Sequence, residues 1–341
     1  MKLFPSTILL VLLLSLLSAC GAAPAAQSPT APAATAAPAP TTTPASAAFP
    51  VTIENCGRSL TFERPPARVI SLWQPPTEML LALGVQDRIV ALAGNYTDLR
   101  PDLATLAEGI KELGTAMAWP AREVLLSEQP DLVISEGIEG FAFDGAAGYA
   151  TVAEIEATGA QVISTGGSCT PLDPASQTKS AETVYNDLLM LGKVFGVSER
   201  AEELVAELQA REAEVIARVE GRDPVKVAFY NGGDGPVFVL SFGIWADLMA
   251  KAGGENVITT EGFQISNEEF AASQPEVILI GVYPGQEAEE RIAFLKATFP
   301  TVPAVQNDRL YPIPTIDTEA SVRVIDGLEQ IARALHPEAF E

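Results

Sequence analysis

Leu125-Leu-Ser-Glu-Gln-Pro-Asp-Leu-Val-Ile134 has a counterpart in Phe270-Ala-Ala-Ser-Gln-Pro-Glu-Val-Ile-Leu279. Each copy reads as a helix end, a Gln-Pro turn, an acidic residue and a short apolar strand. Proline biases the residue before it away from helical backbone, so both helices stop sharply. Strands buried on both faces read as unbroken apolar runs. Here such runs alternate with helical segments, which argues for a mainly parallel sheet covered by helices. A looser echo occurs in the same order, Leu81-Ala-Leu-Gly84 against Met249-Ala-Lys-Ala-Gly253. Together the pairs predict an α/β protein of two similar lobes.

Working outward, Val51-Thr-Ile53 and Leu60-Thr-Phe62 flank Asn55-Cys56-Gly57 and read as a β-hairpin. Strands are expected at 68–72, 88–92, 131–135 and 161–164, with helices at 77–83, 121–128 and 147–158. In the second half, strands are expected at 226–230, 237–240 and 276–282. Between the halves lie two helical stretches, 181–195 and 198–220, broken at Gly196-Val197. In the second stretch Ala201, Leu204, Val205, Leu208, Val215, Ile216 and Val219 fall mostly on one stripe. At 1.5 Å per residue it reaches roughly 34 Å, the length of a strut between lobes or of a cover on one of them. The expected divisions are a lobe at 49–179, a connecting helical region at 180–221 and a second lobe at 222–341. A body of about 290 residues suffices for two such lobes.

The amino terminus has its own logic. Lys2, the apolar run Ile8 to Leu17 and Leu17-Ser-Ala-Cys20 describe a secretory signal peptide over 1–19, too short for a stable membrane span. Leu17 to Cys20 resemble the bacterial lipobox, which implies cleavage before Cys20 and its lipidation. Several acyl chains on one residue exceed what lasting membrane attachment requires. Residues 20–48 are almost wholly Ala, Pro, Thr and Ser after the cysteine, without charge or core residues. Such a stretch cannot offset its ordering entropy by burial, so it reads as a disordered tether. The body is therefore expected outside the cytoplasm, anchored to a membrane.

With 44 acidic and 21 basic side chains, the chain repels nucleic acid and anionic headgroups. Only Cys56 and Cys169 remain once Cys20 is set aside. In an oxidising compartment a Cys56–Cys169 disulfide is expected, against two buried free thiols. The single histidine, His336, follows a helix near the carboxyl end and reads as a cap. One histidine and two cysteines do not assemble a zinc or manganese site of the usual ligand types. No Ser-His-Asp set, Gly-x-Ser-x-Gly elbow or phosphate loop is present. Neither bond chemistry nor a resident cofactor or metal is expected.

The aromatic residues carry more. Trp73, Tyr230 and Tyr283 close expected strands and Tyr96 lies just beyond another, and in open α/β sheets ligands bind at the carboxyl ends of strands. Trp119, Phe141, Phe143, Phe242 and Trp245 sit in neighbouring loops or helix starts. Trp73, Gln74, Tyr96, Trp119, Tyr230, Asn231, Trp245 and Tyr283 are the expected ligand contacts, in an amphipathic cleft suited to a bulky, partly apolar molecule.

Val51-Thr-Ile-Glu-Asn-Cys-Gly-Arg58, Pro65-Pro-Ala-Arg-Val-Ile-Ser-Leu72, Thr77-Glu-Met-Leu-Leu-Ala-Leu-Gly84, Gln129-Pro-Asp-Leu-Val-Ile134 and the closing run Gly327 to Phe340 resemble the iron-siderophore and cobalamin class of solute-binding proteins that feed ABC importers. The likeness covers nearly the whole body. It implies the class III periplasmic-binding-protein-like fold: two α/β lobes joined by one long helix, a shallow cleft and limited closure. It also implies docking on an ABC permease and ATPase complex through an acidic residue on each lobe. Glu154 or Glu156 and Glu319 are the candidates, with Thr318 the alternative to Glu319. The implied function is capture of a ferric siderophore or cobalamin-like compound by a monomer, with no nucleic-acid partner. Haem is a weaker fit without an internal histidine, although a tyrosine can ligate its iron. A secreted lipoprotein hydrolase or a cell-surface interaction protein are the readings from other classes.

Overall fold

The structure is a computed structural model in which residues 49–115, 118–170, 178–260 and 262–341 are described. The signal peptide 1–19, the tether 20–48 and the lipidation site Cys20 lie outside the described residues. Two strands, β1 (Val51–Asn55) and β2 (Arg58–Phe62), form the antiparallel hairpin. Then come β3 (Val69–Ser71), β4 (Ile89–Leu92), β5 (Lys111–Glu112), β6 (Leu132–Glu136) and β7 (Gln161–Thr165), a parallel sheet in the order β5-β4-β3-β6-β7. The second half supplies β8 (Val225–Gly232), β9 (Val237–Val239), β10 (Gly254–Asn256), β11 (Gln264–Ile265), β12 (Val277–Val282) and β13 (Leu310–Pro314). In that sheet β10, β8, β12 and β13 run parallel, while β9 pairs antiparallel with both β8 and β11.

Both faces of each sheet are buried, and successive side chains of a strand join different apolar clusters. Val69, Leu132, Ile134 and Ile163 of the first sheet join Val227, Phe229, Val277 and Leu279 of the second in one apolar cluster. That cluster runs through the helices Ala181–Phe195, Ser198–Val219 and Val324–Leu335. On the opposite faces, Ile70, Leu72, Val133 and Val162 pack with Leu125 and Ile155. Likewise Ala228, Tyr230, Ile278 and Ile280 pack with Phe270 and Leu295. Each sheet is thus covered on both sides, and each large apolar side chain buried this way contributes about 1.5–3 kcal/mol.

The helix Ser198–Val219 is the strut rather than a cover. It buries Ala201, Leu204, Val205, Leu208, Val215 and Val219, with Ile216 only half-buried. Near its start, Arg200 Nε donates to Ala82 O of the first lobe at 3.2 Å. Farther along, Arg211 pairs with Asp326 of the second lobe at 2.6 Å and Glu212 with Lys251 at 2.6 Å. Gly196, in the left-handed region, closes the preceding helix.

Several local boundaries differ from expectation. The expected helix 147–158 is only Val152–Glu156, because Asp144 caps a short 3-10 turn at 145–147 that ends at Gly148. The expected strand at 68–72 shortens to three residues, and the helix after it starts early, at Gln74, with prolines in its first turn. Cys56 and Cys169 are joined by a disulfide, and Asn55 binds Ser164 through both amide atoms, so the hairpin is fastened to the end of β7. His336 ends the last helix, buried, with Nε2 3.2 Å from Gly253 O. No described helix is long and apolar enough to cross a membrane.

Candidate functional site

The carboxyl ends of the central strands of both sheets converge. From the first lobe come Trp73, two residues past β3, Tyr96, four past β4, and Glu136, the last residue of β6. From the second come Asn231 near the end of β8, Tyr283 directly after β12, and Glu319, just past the turn that follows β13. Ring centroids of Trp73 lie 5.2 Å from Tyr96 and 5.9 Å from Trp119. Trp119 meets Phe141 at 6.2 Å and Tyr149 at 5.8 Å. Tyr96 and Tyr283 meet across the lobes at 6.3 Å, and Asn231 Nδ2 donates to Tyr283 Oη at 3.3 Å.

Two glycines make this packing fit. Gly94 has φ +78°, and a Cβ there would stand 2.7 Å from Leu72 O and 3.2 Å from Trp119 Nε1, which itself donates to Leu72 O at 2.7 Å. A Cβ on Gly281 would stand 2.2 Å from Asn231 Oδ1, so only glycine lets the Asn231 side chain cross β12.

The structure brings together Trp73, Tyr96, Trp119, Asn231 and Tyr283 of the expected ligand residues. Trp245 flanks them: it packs on Phe242 at 5.9 Å and Phe263 at 6.2 Å, and its Nε1 donates to Thr318 Oγ1 at 3.1 Å. Gln74 and Tyr230 have structural duties instead. Gln74 is fully buried, its Oε1 accepting from the backbone of Tyr96 and Thr97 at 3.0 Å each. The Tyr230 ring packs on Phe270 and Phe294 in the second lobe, and its hydroxyl donates to Gly233 O at 2.8 Å. A ring that ends a strand turns inward or outward by strand parity, and parity sends Tyr230 into the core.

Glu319, expected to meet a permease, is half-buried in the seam against Tyr96 and Trp73, and Thr318 beside it is fully buried. Burial, then the Glu136 charge, push the Glu319 carboxyl up to about 8, with Tyr96, Trp73 and Lys179 opposing. Burial first, then Glu319, raise the Tyr96 hydroxyl. Glu319 Oε2 and Tyr96 Oη are both buried, and neither completes a well-formed hydrogen bond. No signal in the sequence marked Glu319 as a cleft residue, because only the turn after β13 aims it inward.

Glu154 and Glu156 do lie on the surface of the first lobe, and each is paired. Glu154 closes a capping box with Thr151 and meets Arg122 at 3.2 Å, and the Thr151 hydrogen bonds hold its carboxyl below the usual range. Glu156 pairs with Arg58 at 2.6 Å. A hollow of about 470 Å³ beside Glu156, lined by Ile138, Phe143 and Val152 among others, includes none of the expected ligand residues.

Beneath the aromatic seam the lobes are fastened. Glu78, fully buried, receives Arg323 Nε at 2.7 Å and Nη2 at 2.6 Å. Arg323 Nη2 also donates to Asp98 O at 2.8 Å, and Arg323 Nη1 lies 3.4 Å from Asp317. No group of three or more His, Cys, Asp or Glu among the described residues is placed to hold a metal ion.

A family model described as periplasmic binding protein matches residues 69–316. An ABC transporter substrate-binding lipoprotein of Bacillus subtilis, YvrC, is 22% identical over 301 residues, 86% of this chain and 88% of that one. A vitamin B12-binding protein of Vibrio cholerae is 23% identical over 277 residues, 80% of this chain and 90% of that one. The crystal structure of an ABC-type Fe3+-hydroxamate transport system protein from Saccharomonospora viridis superposes with a TM-score of 0.70 at 27% identity, over 84% of this chain and 99% of the other.

Proposed function

Because the chain belongs to the periplasmic binding protein family, we propose that it is a lipid-anchored receptor that captures a chelated-iron or corrinoid compound outside the cytoplasmic membrane and passes it to an ABC permease. Members of this family bind solutes for transport and are not enzymes, so the hydrolase reading falls away. The observation that carries the ligand class is the aromatic seam of Trp73, Tyr96, Trp119 and Tyr283 at facing strand ends. Rings so arranged offer apolar faces to a bulky ligand, while Asn231 and the tyrosine hydroxyls supply a few oriented polar groups. The relatives named for vitamin B12 and for Fe3+-hydroxamate transport support the same two chemistries.

Residues 49–179 and 222–341 serve as the ligand-gripping lobes, with 180–221 between them as the hinge-side connection. Trp73, Tyr96, Trp119, Asn231 and Tyr283 form the contact set, with Trp245 at its edge. Lipidation of Cys20 and the uncharged tether hold the body near its permease, and the first lobe docks through the surface around Glu154 and Glu156. Titration of the purified chain with ferrioxamine, cyanocobalamin and haemin, read by quenching of Trp73 and Trp119 fluorescence, tests capture. Saturable quenching by a chelate or corrinoid is expected; no response to any of the three rejects the reading. Cys20→Ala is expected to release the protein from cell membranes, and continued membrane retention would reject the anchor.

A further inference from the structure

The seam is unusual in its charges. The Tyr96 ring lies between Trp73 at 5.2 Å and Tyr283 at 6.3 Å, and the Glu319 carboxyl stands against Trp73 and Tyr96. A buried acceptor without a partner is costly, as is a buried hydroxyl. Glu319 Oε2 and Tyr96 Oη come close to that condition: they lie side by side where a ligand is expected, and the contact they make with each other, and that of Trp73 with the carboxyl, fall short of well-formed hydrogen bonds.

No free cation balances them among the described residues near the seam. Lys179 Nζ is held by Glu136 at 2.8 Å. Arg323 is bound by Glu78 and Asp317; Arg291 keeps its charge, since its partners Gly281 O at 2.7 Å and Gln286 are neutral, but it is not among the groups that shift Glu319. The chain as a whole carries a formal charge of −23. An anionic ligand would therefore meet repulsion on approach and would oppose ionisation of Glu319 on arrival, whereas ring faces and an ionised Glu319 both attract positive charge.

We propose that the seam contains a subsite for a positively charged nitrogen, with the Trp73, Tyr96 and Tyr283 rings around it and Glu319 accepting from it, so that the protein selects a chelate bearing an ammonium arm over neutral or anionic ones. The inference rests on the ligand-capture reading above. Entry of the arm separates the Tyr96 and Tyr283 rings, which meet across the seam. It also gives the Glu319 carboxyl a positively charged partner of its own and favours its ionised form. Since burial and Glu136 hold that carboxyl protonated near neutral pH, with Tyr96, Trp73 and Lys179 opposing, binding releases a proton and tightens as pH rises through about 8.

Three ferric complexes test the subsite: ferrioxamine B, a trihydroxamate with an ammonium arm; ferrioxamine E, its cyclic neutral relative; and ferric enterobactin, an anionic tris-catecholate. Cyanocobalamin serves as a neutral control. Ferrioxamine B is expected to bind at least about tenfold tighter than ferrioxamine E, about 1.4 kcal/mol, and ferric enterobactin weakest. Glu319→Gln is expected to bring the B-to-E ratio to about one and to remove the pH dependence of ferrioxamine B binding. Equal affinities for B and E, or a preference that survives Glu319→Gln, would overturn the cation subsite and leave the receptor reading standing. Binding of cyanocobalamin alone, unaffected by Glu319→Gln, does the same. Failure of all four to bind removes the receptor reading and this inference together.

Discussion

At the scale of single residues, the site is made by groups whose neighbours leave them little choice. Gly94 is one: with φ at +78° and Leu72 O where a Cβ would go, Gly94→Ala is expected to cost about 1–3 kcal/mol and to displace Trp73 and Trp119. Urea denaturation together with ligand titration measures both effects, and an alanine variant matching the parent in each would show that the site tolerates the change. Asp187 is another. Its Oδ2 accepts from Gly166 N at 2.6 Å, and burial pushes its carboxyl up to about 7. A raised carboxyl binds more protons folded than unfolded, so its contribution is fully present below about pH 4 and is lost as pH rises to about 7. Glu319 has the same sign, with its window ending near 8. Asp187→Asn, which keeps the acceptor, is expected to flatten the fall in stability between pH 4 and 7. Denaturation midpoints across that range check it, and an unchanged slope would assign the fall elsewhere.

At the scale of elements, the duplicated stretches prove physically equivalent in detail. Gln129 and Gln274 both adopt the left-handed region, at φ 50° and 47°, which lets the chain reverse from helix into strand before each proline. The next residue does the same work in both lobes. Asp131 accepts from the backbone N–H groups of Ala67 and Arg68 at 2.8 Å each, and Glu276 from that of Lys226 at 3.3 Å. Each acid thereby sets its strand against the neighbouring one, β6 against β3 and β12 against β8. Asp131→Ala is expected to destabilise by about 1 kcal/mol, and Glu276→Ala by less, its single bond being longer. Chemical denaturation of the two variants decides the order. These elements were legible because helix stop, turn and apolar run are local patterns. The short helix Val152–Glu156 was not, since Asp144 and Gly148 compete for the preceding turn.

At the scale of the whole molecule, the lobes are held by the strut Ser198–Val219 and by the buried Glu78–Arg323 pair, residues remote in sequence. Removing one partner strands the other's charge in a dry environment. Glu78→Gln is therefore expected to cost about 3–5 kcal/mol, and pairing it with Arg323→Met to restore much of that. A double-mutant cycle by denaturation measures the coupling, and additive losses would mean that the pair does not act as a unit. Since this pair lies beneath the aromatic seam, its loss is also expected to weaken ligand binding through altered lobe spacing.

The sequence by itself determined the two-lobe α/β architecture, the hairpin, the connecting helices and which aromatic residues gather at the facing strand ends. Those follow from local periodicity, turn chemistry and the rule that ligands meet strand ends. Tertiary structure alone decided that Gln74 and Tyr230 support the site from behind, that Glu319 faces inward, and that Glu78 meets Arg323. Such outcomes depend on which side of a sheet a given side chain leaves and on which distant segment lies opposite, and neither is encoded in any short run of residues.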